Sequence, residues 1–334
     1  MDKRHLFSRA LLFVAMVLLL GVAQARANVF SDFNEKEQQL YQNAIHFMDN
    51  GMVDTGIDLL KGLDKAHPSN WAVVHEIVYG YIVKQDYEEA YQWAKKLLKL
   101  KDAGADSYFM AGNAFDYVGK RKEAIEIYEK GLKKFPNSVR LWVEKGNMAY
   151  MMKNYDESVG CYEHAIDIDP NYDASYYRLA NLYAMSTDPV WAVMYAQNYQ
   201  LHASKYERLM EMGKLIYNLY RENVTRKDGK WEVTFTKKVN LSAYASLDCD
   251  LPYNGFFDYT HKVVLDEGGF AGDTLTLADV ARLHRKYVEI ADTTAHDYYN
   301  VPVLDMERAA LHEGHLDGYI MWMLRGSDVG FGNK

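Results

Sequence analysis

The chain has 334 residues, and 46 Asp and Glu against 38 Lys and Arg give it a formal net charge of −8. This length suggests about two domains, and a chain that is 49% hydrophobic and 25% charged has the composition of an ordinary globular protein. Composition and charge therefore argue against intrinsic disorder, collagen, a disulfide-stapled miniprotein and a basic nucleic-acid binder.

The first 27 residues have the features of a secretory signal peptide. Lys3, Arg4 and Arg9 precede an uncharged apolar run of about 14 residues, and a small-x-small cleavage site ends at Ala27. The alternative, a membrane anchor, needs roughly 20 apolar residues. We therefore expect cleavage of residues 1–27, export to the periplasm or the cell exterior, and no membrane span in the mature chain.

A 34-residue repeat runs from residue 37 to residue 206 without insertion or deletion. Its five blocks begin at Glu37, Trp71, Ala105, Val139 and Asp173. Position 8 carries small or short apolar residues, namely Ala44, Val78, Gly112, Gly146 and Ala180. Position 20 is also small, with Gly56, Ala90, Ala124, Ser158 and Ala192. Position 32 is Pro in three of the five blocks, where a helix is expected to end.

At these residues the sequence resembles the tetratricopeptide repeat (TPR) family, most clearly in blocks three and four. The resemblance implies that each block is a pair of antiparallel helices, and that the pairs stack into an α-solenoid, a right-handed superhelix. Residues 28–36 are expected to be a lead-in. The solenoid is expected to span residues 37–222, because residues 207–220 keep apolar residues at helical spacing and would form a capping helix.

Beyond residue 222 the sequence pattern changes from helical to alternating. Trp231, Val233 and Phe235 alternate with polar residues and predict a strand, and residues 241–247 and 256–265 are interpreted as two further strands. Amphipathic helices are predicted over residues 276–297 and 302–324. The predicted fold is therefore mainly α, a TPR solenoid followed by a small α+β unit over residues 223–334.

The resemblance also implies that positions 2, 5, 9, 12 and 13 of each block line a concave groove. Position 9 is Asn113, Asn147 and Asn181 in three successive blocks. An Asn amide offers a donor and an acceptor to a peptide backbone, although these Asn could instead bridge adjacent repeats or face water. The other groove candidates are aromatic anchors or charges of both signs, namely Tyr79, Phe109, Tyr117, Tyr150, Tyr177, Asp116 and Arg140.

Two features of the repeats bear on the class of partner. Chaperone-binding members of the family that the sequence resembles hold a C-terminal carboxylate with a clamp of Lys and Arg. Position 5 of these blocks holds neither residue, which argues against such a clamp here. Some of the aromatic candidates could instead belong to the core of degenerate repeats. The basic runs of the second helices are interleaved with Glu123, Glu126 and Glu129, and we interpret them as a solvated face with i,i+4 ion pairs.

A catalytic site in the last third of the chain is the least favoured interpretation. His312 and His315 share a helix face and could hold a metal ion, but only Asp305 or His296 could approach as a third ligand. His261 and His284 are expected to be structural. Cys161 and Cys249 are expected to be two separate buried thiols, with a disulfide as the alternative in an oxidising compartment.

The sequence therefore predicts an exported, non-catalytic scaffold that binds an extended protein segment in its groove. No cofactor and no nucleic-acid partner are expected, and the oligomeric state is left open. One alternative is a structural component of a cell-envelope assembly, docked through the C-terminal unit. The other is an enzyme with its site in that unit.

Overall fold

The computed structural model describes residue 30 and residues 32–101, 103–203, 205–237, 252–294 and 301–327. The predicted signal peptide, the predicted strand over residues 241–247, Cys249 and His296 lie outside these described residues. Within them, no helix is both long enough and apolar enough to cross a membrane.

Fifteen helices and one β-hairpin form the described part of the chain. In chain order the helices are α1 (Glu35–Asp49), α2 (Val53–Ala66), α3 (Trp71–Val83), α4 (Tyr87–Leu97), α5 (Ala105–Tyr117), α6 (Arg121–Lys134), α7 (Val139–Met151), α8 (Tyr155–Ile168), α9 (Asp173–Ala184), α10 (Val190–His202), α11 (Tyr206–Asn223), α12 (Tyr253–Asp266), α13 (Leu277–Thr294), α14 (Pro302–His312) and α15 (Leu316–Met323). Strands β1 (Val224–Lys227) and β2 (Lys230–Val233) lie between α11 and α12.

The chain divides into two compact units, Met1–Met148 and Ala149–Lys334. In the first unit, α1 packs on α2, α3 on α4, and α5 on α6, so successive helices form the pairs that the repeat predicts. Asn34 begins α1 with a capping box to Glu37, and the Asn70 side chain caps α3. The core of this unit includes fully buried Leu60, Ile77, Leu97, Tyr128 and Leu141.

In the second unit one apolar core extends from α9 to α15. The capping helix α11 buries Leu209, Met212, Ile216 and Leu219, and it packs on α10 and α13. This core contains Leu219 and Val224, on either side of residue 222, where the sequence suggested that a C-terminal domain begins. The mainly α fold class, with repeat helices packed in tandem and a small strand pair after them, is confirmed.

The strand predicted around Trp231 is present as part of a hairpin. β1 and β2 pair antiparallel, with Arg226 opposite Trp231, and the two-residue turn is Asp228-Gly229. Both turn residues have positive φ, 50° and 75°, which is the geometry of a type I′ turn. The Asp-Gly pair was the sequence feature that could have located β1.

The strand predicted over residues 256–265 is wrong, because this segment is helix α12. Its aromatic and β-branched residues favour a strand by propensity. Six buried residues stand at helical spacing, and Gly255 and Asp258 beside them are buried as well: Phe256, Phe257, Thr260, His261, Val264 and Leu265. Packing of this face against the core of the second unit therefore outweighs the local propensity.

The single helix predicted over residues 302–324 is also wrong, because the structure has two helices, α14 and α15. Gly314 adopts φ +77° between them, a left-handed conformation that ends a helix. The backbone amide of His315 donates to the carbonyl of Ala310, at 2.7 Å, which closes the end of α14.

Candidate functional site

Helix α5 leaves one side uncovered in the first unit. Asp106, Phe109, Asn113, Asp116 and Tyr117 follow the spacing of a single helix face, and none of them is buried. The opposite side of α5 is buried and includes Tyr108, Ala111, Gly112 and Ala114. We call the uncovered side of α5, together with Tyr79 of α3 and Arg140 and Asn147 of α7, the first-helix face.

Arg140 connects α7 to α5 on the first-helix face. Its Nη1 donates to Asp106 Oδ1 at 3.2 Å, and its guanidinium lies 5.6 Å from the centre of the Phe109 ring. Both partners of the ion pair are more than half exposed, so the pair contributes little to stability. The arrangement instead holds a cation and an aromatic ring side by side at the surface.

Two tyrosines of the first-helix face expose much of their rings. Tyr79 of α3 is 38% exposed and Tyr117 at the end of α5 is 51% exposed. The Tyr117 ring stacks on that of Tyr87, with centres 4.8 Å apart, and partial burial raises the pKa of Tyr117. A ring that is held in place and still accessible loses little entropy when a partner binds it.

The amides of the first-helix face are partly used within the protein. Tyr128 donates its hydroxyl to Asn113 Oδ1 at 2.6 Å, and burial raises the pKa of Tyr128. Asn147 Nδ2 donates to Glu144 Oε2 at 3.0 Å. Within the described residues, the Nδ2 group of Asn113 has no partner. Asn113 therefore keeps its whole donor group for a partner, while its acceptor oxygen is already used once by Tyr128.

A similar arrangement occurs in the second unit, on α9 and α11. The Arg208 guanidinium lies 4.6 Å from the centre of the Tyr177 ring, and the Tyr177 hydroxyl donates to Glu211 Oε1 at 3.0 Å. Asn181 Nδ2 donates to the Tyr177 backbone carbonyl at 2.8 Å, which leaves its Oδ1 as the accessible half of the amide. As with Phe109 and Arg140, an aromatic residue at position 5 lies beneath an Arg from position 2 of the next block.

The second unit also exposes an apolar edge where α7 ends and α8 begins. Tyr150 and Tyr155 are exposed with ring centres 5.8 Å apart, while Met151 and Met152 are 46% and 61% exposed. Met185, at the end of α9, is 65% exposed. Position 13 of the repeat carries Met151 and Met185, as it carries Tyr117 in the first unit. Sequence reasoning singled out Tyr117 and missed the methionines, although they share its register.

All ten groove candidates from the sequence keep accessible surface. Seven of them lie on the first-helix face of the first unit: Tyr79, Phe109, Asn113, Asp116, Tyr117, Arg140 and Asn147. The other three, in the second unit, are Tyr150, Tyr177 and Asn181. Asp116 accepts a hydrogen bond from Arg121 Nε at 3.1 Å. Both acidic side chains of the first-helix face, Asp106 and Asp116, therefore have a basic partner, Arg140 on the face and Arg121 of α6.

The histidines of the second unit take two different roles. His312 is exposed and lies 3.0 Å from Asp292 Oδ1, and the described residues contain no cluster of three metal-ligating side chains. His261 and His284 are fully buried, and both contact the Tyr220 hydroxyl, at 3.0 and 2.8 Å. Burial lowers the pKa of His261 to about 3. Both histidines are enclosed by protein, and their contacts connect buried parts of the second unit.

Two stretches of the chain match models of a known repeat. Residues 105–137 match a model described as tetratricopeptide repeat, and residues 146–186 match one described as TPR repeat. The chain therefore contains tetratricopeptide repeats over residues 105–137 and 146–186. Such repeats are protein-interaction modules, and the tandem helix pairs give this TPR protein the architecture of an interaction scaffold.

Individual proteins are similar to this chain either over a short segment or at low sequence identity. The chain is 31% identical over 101 residues to N-alpha-acetyltransferase 16, the NatA auxiliary subunit of Mus musculus, and the match covers 29% of this chain and only 12% of that subunit. A thermophilic TPR protein of Thermus thermophilus is 14% identical, covering 54% of this chain and 98% of its own, with a TM-score of 0.47.

Two further solved structures are similar to about half of this chain. MamA of Desulfovibrio magneticus RS-1 is 15% identical, covering 51% of this chain and 96% of its own, with a TM-score of 0.43. PilF of Pseudomonas aeruginosa is 14% identical, covering 56% of this chain and 85% of its own, with a TM-score of 0.49.

Proposed function

We propose that this TPR protein is an exported, non-catalytic scaffold whose first-helix face binds an extended segment of another protein. The observation that carries the proposal is the Arg140 guanidinium held beside Phe109 and Asp106, on the same helix face as the exposed ring of Tyr117. Aromatic and Arg side chains are the residue types that dominate binding energy in protein interfaces. The export part of the proposal rests on the sequence of residues 1–27.

The chemistry of the face indicates what kind of segment it would hold. Asp106 pairs with Arg140 and Asp116 pairs with Arg121, so little unbalanced charge is left to attract a strongly charged partner. The Asn113 Nδ2 group can donate to a backbone carbonyl without reading a side chain. We therefore expect a segment in extended conformation, with aromatic or aliphatic side chains that pack against Tyr79 and Tyr117.

The test is selection of binding peptides followed by substitution of the two exposed tyrosines. A library of displayed peptides is panned against the full chain, and the selected peptides are titrated against wild type and against a Tyr79→Ala, Tyr117→Ala variant. The variant should lose about tenfold in affinity or more, because truncating an interface anchor costs about 1–2 kcal/mol or more. Circular dichroism should show an unchanged fold, since both rings are at the surface.

A matched control removes two exposed tyrosines outside the first-helix face, as Tyr155→Ala and Tyr206→Ala. This variant should bind the selected peptides as wild type does. Asn113→Asp tests the amide, because the carboxylate still accepts from Tyr128 while the Nδ2 donor is lost. If the two double variants bind equally well, or if panning returns no peptide that binds, the proposed function is wrong.

A further inference from the structure

A cleft of about 480 Å³ lies in the first unit, away from the first-helix face. It opens between the end of α4, the start of α5 and the last turns of α6. Its lining residues are Leu98, Tyr108, Ile127, Lys130, Lys133 and Lys134. This volume falls within the range of clefts that bind small ligands or single anchoring side chains.

The floor of the cleft is apolar and its rim is basic. Ile127 and Tyr108 are buried, whereas Lys130, Lys133 and Lys134 are exposed along the last turns of α6. The Lys134 ammonium lies 5.2 Å from the centre of the Tyr108 ring. All three charged lining residues are basic. A ligand in this cleft would therefore meet positive charge above an apolar surface.

The three lysines are largely uncompensated by the protein. Lys130 reaches Glu126 only at 3.8 Å, and both side chains are about two-thirds exposed, so this pair is weak. Within the part of the chain that the structure describes, Lys133 and Lys134 make no ion pair. From the sequence, Lys130, Lys133 and Lys134 are interpreted as part of a solvated face with i,i+4 ion pairs. Lys130 has such a partner in Glu126, whereas the other two lysines have no ion-pair partner among the described residues.

The charge around the cleft also contrasts with the rest of the molecule. Residues 95–134 hold ten Lys and Arg and six Asp and Glu, a net charge of +4 in a chain whose total is −8. A positive region on a negative protein attracts an anionic partner to one place, and it does so more strongly at low salt.

We propose that this cleft is a second binding site, which takes an acidic protein segment carrying one aromatic or aliphatic side chain. The apolar side chain would occupy the floor beside Ile127 and Leu98, and neighbouring carboxylates would face the three lysines. A single-stranded nucleic acid fits less well, because such polymers need exposed aromatic rings for stacking and the Tyr108 ring is buried. The cleft is separate from the first-helix face, so either of the two proposed binding sites can be disproved without affecting the other.

The experiment uses the full chain and a fluorescent acidic peptide, EDEFDEDE, with EDEADEDE as the peptide lacking the apolar anchor. Anisotropy titrations compare wild type with a Lys130→Glu, Lys133→Glu, Lys134→Glu variant. The control variant is Lys36→Glu, Lys65→Glu, Lys214→Glu, which makes the same change of net charge at exposed lysines outside the cleft. Circular dichroism verifies that all three proteins fold.

We expect the cleft variant to bind EDEFDEDE about tenfold more weakly or worse, and the control variant to bind within about threefold of wild type. We also expect EDEADEDE to bind more weakly than EDEFDEDE to wild type, and the Tyr79→Ala, Tyr117→Ala variant to bind EDEFDEDE unchanged. Equal losses in the cleft and control variants would overturn the proposal. So would a single-stranded thymidine oligomer that binds more tightly than the peptide through the same lysines, or displacement of the peptide by millimolar inorganic phosphate.

Discussion

Gly112 lies where α5 packs against Tyr128 of α6. A Cβ atom at this position would stand 2.6 Å from Cζ of Tyr128, which is far inside van der Waals contact. Tyr128 is fully buried and its hydroxyl is fixed by Asn113, so the ring has little freedom to move aside. The small residue at position 8 of the repeat is therefore required here by the tyrosine that packs against it.

Gly112→Ala should destabilise the protein by about 1–3 kcal/mol, because an inserted methyl group forces the buried ring out of place. Gly62→Ala is the matched control, since Gly62 is also inside a helix of the first unit but has open space around its Cα. That substitution should stabilise the protein by up to about 1 kcal/mol through helix propensity. Urea unfolding followed by circular dichroism measures both changes, and a neutral Gly112→Ala would contradict the packing argument.

At the scale of helices and strands, the repeats were predictable and the C-terminal region was only partly so. Small residues at a fixed 34-residue spacing mark the places where two helices pack closely, as Gly112 against Tyr128 illustrates. For α12, burial on several sides hides the helical period, and the aromatic content of residues 256–265 then favours a strand. The break between α14 and α15 depends on one glycine, Gly314, and a single glycine does not by itself rule out a continuous helix in the sequence pattern.

The candidate site, like the fold, could be predicted from the sequence only in part. Residues such as Phe109 and Arg140 follow from the register of the repeat, which fixes the helix face on which they lie. Their mutual contact, and the use of the Asn113 acceptor by Tyr128, depend on how neighbouring helices pack. The lysine cleft could not be found from spacing, since it exists only through the packing of the end of α4, the start of α5 and one side of α6.

A buried chain of hydrogen bonds joins four helices of the second unit. His261 Nδ1 donates to the Phe257 carbonyl at 2.7 Å, because a carbonyl oxygen can only accept. Neutral His261 then accepts from the Tyr220 hydroxyl through Nε2, and the Tyr220 oxygen accepts from His284 Nδ1. The chain ends at Glu307, 2.7 Å from His284 Nε2. It thereby fixes the tautomer of His261 and connects α11, α12, α13 and α14.

Glu307→Leu should destabilise the protein by about 2–4 kcal/mol, because breaking a buried polar network leaves groups without partners. Glu307 Oε1 is the acceptor for Gln197, at 2.6 Å, and it also contacts His284, so an apolar side chain leaves both groups without this partner. Glu313→Leu, at the exposed end of the same helix, is the control and should change stability by less than about 0.5 kcal/mol. Thermal unfolding distinguishes the two, and equal melting temperatures would refute the role of the chain.

For the whole molecule, two buried groups make opposite contributions to stability as the pH changes. Burial lowers the pKa of His261 from 6.5 to about 3, so only the unfolded chain takes up that proton, and stability falls as the pH drops below 6.5. Burial raises the pKa of Asp258 from 3.8 to about 7, with Asp188 adding to the effect. The folded chain keeps that proton, so this contribution is full below pH 3.8 and is lost as the pH rises to 7.

Between pH 3.8 and pH 6.5 these two contributions largely offset each other, and Asp258→Asn should remove the offset. The free energy of unfolding of the variant should then rise with pH about 1.4 kcal/mol per unit more steeply than that of wild type. The amide keeps an oxygen for the Thr236 backbone donor, which supports folding of the variant. Urea titrations across this range measure the slope.

Asp273→Asn is the control for this measurement, because Asp273 is exposed and its substitution should leave the slope of wild type unchanged. A parallel pair of curves for wild type and Asp258→Asn would show that Asp258 is ionised in the folded protein throughout this range.

The exposed methionines of the second unit make part of its surface sensitive to oxidants. Met151, Met152 and Met185 present their thioethers to solvent, whereas Met194, Met212 and Met323 are enclosed in the core. Oxidation to the sulfoxide converts an apolar, flexible side chain into a polar one, and accessible sulfur atoms react first. Peroxide would therefore turn the apolar edge polar while the packing beneath it stays intact, so this part of the surface would change its chemistry before the fold is damaged.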